Sequence, residues 1–128
     1  NKKQTEHNNY VPSGSWDGFY LDQSGPDSNQ HEMYFYLDFS DGIVTGSGSD
    51  DVGGFTWNGT YDADTFVVKM TKHYQLHTVH YDGRADESGI YGRWEIKDHI
   101  RGGFHIWPRK GKAEEEAVEV VVVATISA

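Results

Sequence analysis

The chain has 128 residues, with 15 glycines, 3 prolines, no cysteine and a formal net charge of −9 from 11 basic and 20 acidic side chains. That length holds one domain around one modest core. The lack of cysteine excludes disulfide scaffolds, thiolate zinc sites and cysteine nucleophiles, and the acidic balance excludes non-specific attraction to phosphate backbones.

Aromatic residues make up 14% of the chain, and helix fillers such as alanine and leucine are sparse before residue 112, so strands and tight turns are favoured over helices. Between residues 14 and 108 apolar residues alternate or cluster in short runs separated by turn residues, the pattern of strands rather than helices. Ser15 to Asp22 is the first run, with Trp16, Gly18 and Tyr20 on one face. Glu32 to Phe39 is the second: Met33, Phe35, Leu37 and Phe39 face one way, and Glu32, Tyr34, Tyr36 and Asp38 the other. Asp41-Gly42 then marks a two-residue hairpin turn. Ile43 to Ser49 follows, with Gly46 and Gly48 on one face, a sign of a barrel corner or the close approach of another backbone.

Phe55 to Tyr61 is the fourth run, aligning Phe55, Trp57, Gly59 and Tyr61. A turn at Asn58-Gly59 would leave two very short strands, so the turn is expected at Asp62-Ala63-Asp64-Thr65. Thr65 to Tyr74, Thr78 to Arg84, Gly89 to Lys97 and Gly103 to Pro108 complete the series. In the seventh run Ile90, Gly92, Trp94 and Ile96 face inward.

Eight runs with short connections predict an all-β fold, an eight-stranded antiparallel up-and-down β-barrel that removes its sheet edges by closing on itself. A two-sheet β-sandwich of the same strands is the alternative. Residues 1–13 read as a flexible N-terminal arm, 14–108 as the barrel, and 109–128 as a charged hinge followed by a valine-rich tail. The tail run Val118 to Ile126 is β-branched and prefers strand. It could pair along an edge or join two copies as a homodimer. It is too short and too charged at its start to span a bilayer, so no membrane contact is expected. No signal peptide is visible, and the lack of cysteine fits a cytosolic protein.

The opening Gly14-Ser15-Trp16-x-Gly18-x-Tyr20, together with Asn58-Gly59-Thr60-Tyr61-Asp62, Lys72-His73-Tyr74, Tyr81-Asp82-Gly83 and Arg93-Trp94, resembles calycin-type barrels of the avidin and lipocalin kind. The resemblance covers residues 14–108. It implies a Gly-x-Trp element that plugs one barrel end, and reception of a small ligand or peptide at the barrel mouth. An avidin-type first strand presents an asparagine and a serine to biotin; Asp17-Gly18-Phe19-Tyr20 lacks both, so the barrel carries over and biotin does not.

Chemistry-bearing residues are scattered. The seven histidines, His7, His31, His73, His77, His80, His99 and His105, read as surface and turn residues, since a metal site needs three or four convergent ligands. Asp38, Asp41, Asp50 and Asp51 match no calcium-loop spacing. Asp22, Asp38, Asp82 and Glu95 offer no identifiable acid pair, and Ser47 and Ser49 lack a nucleophile elbow. No cofactor and no metal are expected. Asn58-Gly59-Thr60 matches a glycosylation sequon that is common by chance.

The expectation is therefore a small non-enzymatic binding protein. Its ligand cavity would be walled by Trp16, Tyr20, Phe35, Trp57 and Trp94, with His80 and Tyr81 as polar groups near one end. The alternatives are a protein-interaction module with a filled barrel, using surface tyrosines (Tyr34 and Tyr36 near Lys69 and Thr71) and the tail, and an enzyme such as a cyclase or isomerase.

Overall fold

The computed structural model describes residues 9–97 and 100–109. Eight strands run in chain order: β1 (Gly14–Leu21), β2 (Gln30–Ser40), β3 (Ile43–Asp50), β4 (Gly54–Tyr61), β5 (Val67–Tyr74), β6 (Thr78–Asp86), β7 (Gly89–Ile96) and β8 (Ile100–Pro108). Each pairs antiparallel with the next, and β8 pairs with β1 to close the barrel. Closure leaves no unpaired sheet edge among the described residues and rules out the two-sheet sandwich. No described helix is long and apolar enough to cross a membrane.

Turn chemistry explains the meander. Asp41 and Gly42 both have positive φ, 54° and 80°, as a type I′ hairpin requires. Gly46 and Gly48 permit close approach of β2: a Cβ on either would fall on the carbonyl oxygen of Tyr36 or Tyr34 across the pair. Asn58 and Gly59 lie within β4, opposite Thr71 and Met70, and the chain turns at 62–66 instead.

Several strand ends lie one to three residues from the sequence expectation, the starts of β5 and β8 among them. β5 starts at Val67 and not at Thr65, because Phe66 takes a left-handed φ of 65° that no strand residue adopts. β8 starts at Ile100, ahead of the expected Gly103. Gly102, within the strand, has to be glycine because a side chain there would meet the Trp94 indole and the Leu21 carbonyl.

The inward stripes meet in a core that includes Trp16, Met33, Leu37, Val44, Trp57, Ile90 and Ile106, each 0–2% exposed. Its rings pack edge to face: Phe35 on Trp57 at 5.4 Å, Trp57 on Tyr81 at 4.9 Å and Phe55 on Trp57 at 5.5 Å. The barrel has two chemically different ends. The far end carries the connections 22–29, 51–53 and 75–77. The near end carries the turns 41–42, 62–66 and 87–88 and the incoming segment 9–13. That segment is pinned by Trp16 Nε1 donating to the Pro12 carbonyl at 3.0 Å and by Ser13 Oγ accepting from the Phe39 amide at 2.8 Å. The expected tail strand at 118–126 lies outside the described residues.

Candidate functional site

The inward stripe of β5 runs Val68, Met70, Lys72 and Tyr74. Alternation therefore carries a lysine into the barrel, and Lys72 is fully buried. The inward stripe of β3 ends at Asp50, whose carboxylate pairs with the Lys72 ammonium; both side chains are wholly shielded from solvent. Tyr74 donates its hydroxyl to the same Asp50 oxygen at 2.5 Å. Lys72 Nζ also reaches Met33 Sδ at 3.2 Å and the Tyr81 oxygen at 3.3 Å. Three donors thus meet three partners, and an ammonium has no fourth proton to offer.

Rings surround the cation. Phe55, Tyr20, Tyr74, Tyr81 and Trp57 have their centroids 4.5, 4.8, 4.8, 5.5 and 5.8 Å from Nζ, within cation–π range. Burial pulls the Lys72 amine down from 10.5 to about 8, against the opposing pull of Asp50. Burial likewise pushes the Tyr81 and Tyr74 hydroxyls up, with the Asp50 carboxylate adding to both.

Above this cage, at the far end, a second polar layer spans the loops. Tyr20 donates to Asp51 Oδ1 at 2.7 Å. His31 stacks on Tyr20 at 4.8 Å; its Nδ1 meets Asp51 and its Nε2 meets Asp22 at 3.2 Å. With a carboxylate on each ring nitrogen, the doubly protonated imidazolium is the form that satisfies both. The hydrogen bond that His31 donates to Asp51, then the one it donates to Asp22, raises its pKa above 6.5. These contacts consume both nitrogens, and no described group of three or more histidines and carboxylates has a metal-holding arrangement.

The seven residues singled out from sequence divide by position. Tyr20, Trp57 and Tyr81 ring Lys72, and Phe35 packs behind Trp57. Trp94 is buried at the far end, where Nε1 donates to the Leu21 carbonyl at 2.7 Å. Trp16 is buried at the near end beneath Phe39, 5.7 Å away. His80 is exposed on the outer wall beside Thr71, because the alternation that turns Tyr81 inward turns His80 outward; it is no polar group of the interior. Trp57 Nε1 is buried without a hydrogen-bond partner among the described residues. The outer-wall grouping of Tyr34 and Tyr36 with Lys69 and Thr71 does not form either, since β3 and β4 separate their strands.

Sequence reasoning missed Lys72 and Asp50 as a pair. It also missed the near-end cleft, which has a volume of about 560 Å³. Tyr10, Phe39, Tyr61 and Phe66 line it, with Val68 and Ala85 beneath and Asp62 and Asp64 at the turn. Tyr10 packs on Phe66 at 5.3 Å, and Phe39 on Tyr61 at 5.3 Å. Asp62 Oδ1 accepts from the Asp64 amide at 2.8 Å and the Thr65 amide at 3.1 Å. The Thr65 bond, then that of Asp64, holds the Asp62 carboxyl below its usual range.

No protein-family model, curated protein or solved structure matches the chain.

Proposed function

We propose that the chain is a non-enzymatic receptor for a small molecule, held in the near-end cleft and not in the barrel interior. The observation that carries this reading is the cleft itself. Its volume of about 560 Å³ falls within the usual range for small-molecule sites, and its walls set aromatic and aliphatic side chains beside polar groups that can orient a ligand. The interior is a poorer candidate, because Lys72 and its partners occupy the aromatic cage. On this reading the chain follows a calycin-type plan, of avidin-like or lipocalin-like kind. Support comes from the barrel and from Trp16 of the Gly-x-Trp element, buried under the cleft.

The test is amide NMR on the full chain with a mixed set of small aromatic ammonium, alcohol and carboxylate compounds. Shifts concentrated at residues 9–13, 61–66 and 85, and lost in Phe66→Ala, are the expected result. Shifts confined to other regions, or none with any compound, overturn the reading.

One observation favours a second reading, a protein-interaction module. On the outer wall of β1, β8 and β7, His105 packs against Trp107 at 5.0 Å, Phe19 at 6.2 Å and Tyr91 at 6.1 Å. Nearby, Tyr34 and Tyr36 are about half exposed. Outward rings of this kind supply contact area at low entropic cost.

A further inference from the structure

The walls of the near-end cleft carry two carboxylates, Asp62 and Asp64, and no described residue lining it is Lys, Arg or His. Asp62 stays ionised at neutral pH because the Thr65 and Asp64 amides stabilise its charge. Tyr10, Phe39, Tyr61 and Phe66 add aromatic rings to the walls, and the π-faces of such rings attract cations.

Phe66 makes the arrangement specific. Its φ of 65° is a genuine outlier for a bulky side chain. It is locked there by its own amide donating to the Asp62 carbonyl at 2.7 Å and by the Ala85 amide donating to its carbonyl at 2.8 Å. Strain of this kind persists where the surroundings over-determine the backbone, and it clusters at functional positions. Here it holds the Phe66 ring against Tyr10 beside the two carboxylates.

The same chain already solves the chemistry of caging an ammonium. At Lys72 a carboxylate and five rings hold one. The near-end cleft repeats carboxylates and rings but supplies no amine of its own. We infer that this cleft takes an organic cation, an ammonium carried on an aromatic or aliphatic body. The inference rests on the receptor reading above and names the class of its ligand. The ammonium sits against the Asp62–Asp64 turn, and the apolar body lies among Tyr10, Phe39, Tyr61 and Phe66.

Three probes of one shape test it by calorimetry and NMR on the full chain: benzyltrimethylammonium, benzyl alcohol and benzoate. The expected order is ammonium tightest, by about tenfold over the alcohol, with benzoate weakest. Asp62→Asn with Asp64→Asn should weaken the ammonium about tenfold and leave the alcohol unchanged. Asparagine at 62 keeps the oxygen that accepts the two turn amides, so the turn survives. Asp27→Asn with Asp82→Asn, remote from the cleft, should leave ammonium binding unchanged. If the remote pair weakens the ammonium equally, or the alcohol or benzoate binds in the cleft as tightly as the ammonium, the cation assignment is overturned while the receptor reading stands. Failure of all three probes to bind the cleft overturns both.

Discussion

Lys72 and Asp50 form an ion pair inside the barrel with neither side chain exposed to solvent. Burying two charges costs several kcal/mol per ion, and their attraction only partly offsets it unless every remaining polar direction is satisfied. Here Tyr74 and the Val52 and Gly53 amides satisfy Asp50, and Tyr81 and Met33 satisfy Lys72. Breaking one partner is therefore worse than removing both. Asp50→Leu or Lys72→Met alone should cost about 3–5 kcal/mol in urea unfolding, whereas the two together should cost far less than the sum. Additive losses in the double variant would refute the pairing argument.

The same burial gives an alkaline stability profile. The folded Lys72 amine releases its proton near pH 8, and the unfolded one near 10.5. Between those values the unfolded chain binds more protons, so stability rises with pH, by up to about 3 kcal/mol from this group. Tyr20, Tyr74 and Tyr81 act in the opposite sense. Burial raises each above 10, so the unfolded chain loses those protons first and stability falls as pH climbs past 10. Urea midpoints should peak between about pH 8 and 10. A flat or falling profile from pH 8 to 10 in a His31→Gln variant, which removes the opposing imidazole, would contradict a buried Lys72.

His31 reports on the far-end layer. Its folded pKa is raised, so its contribution is fully present below pH 6.5 and is lost as pH rises through the folded value. Imidazole NMR titration should place it above 6.5. Asp51→Asn should lower it more than Asp22→Asn, because Asp51 makes the larger contribution. An unshifted His31 would mean that the two carboxylates do not face it in solution.

Gly46 tests the close approach of β2 and β3. Gly46→Ala would drive a methyl onto the Tyr36 carbonyl and Leu37 and should cost about 2–3 kcal/mol. Gly103→Ala meets its nearest atoms at 3.5 Å, ordinary contact, and should be nearly neutral by thermal unfolding.

Period-two stripes and turn residues make the eight strands readable in the sequence, because a half-buried strand writes its inner face into alternate positions. The same stripes held the ion pair. Lys72 is in phase with Val68 and Met70, and Asp50 with Val44, Gly46 and Gly48. Carried to its end, the alternation puts both charges inside, but the strength of the aromatic stripes drew the reading towards an empty cage. Their pairing was not readable, since it depends on β4 lying between β3 and β5 and on the register that brings the two strand ends together. The near-end cleft was less legible still. It is made by residues 9–13 folding back over the barrel and by Phe66 leaving the strand conformation, and neither follows from periodicity.

The seam between β1 and β8 joins the first described strand to the last described one. During synthesis β1 waits without its second neighbour until residue 108 has left the ribosome, and the growing sheet keeps an open flank at each stage. Such long-range pairing slows folding and prolongs exposure to neighbouring chains. A ribosome-stalled fragment ending before Ile100 should therefore require chaperone protection that the released chain does not.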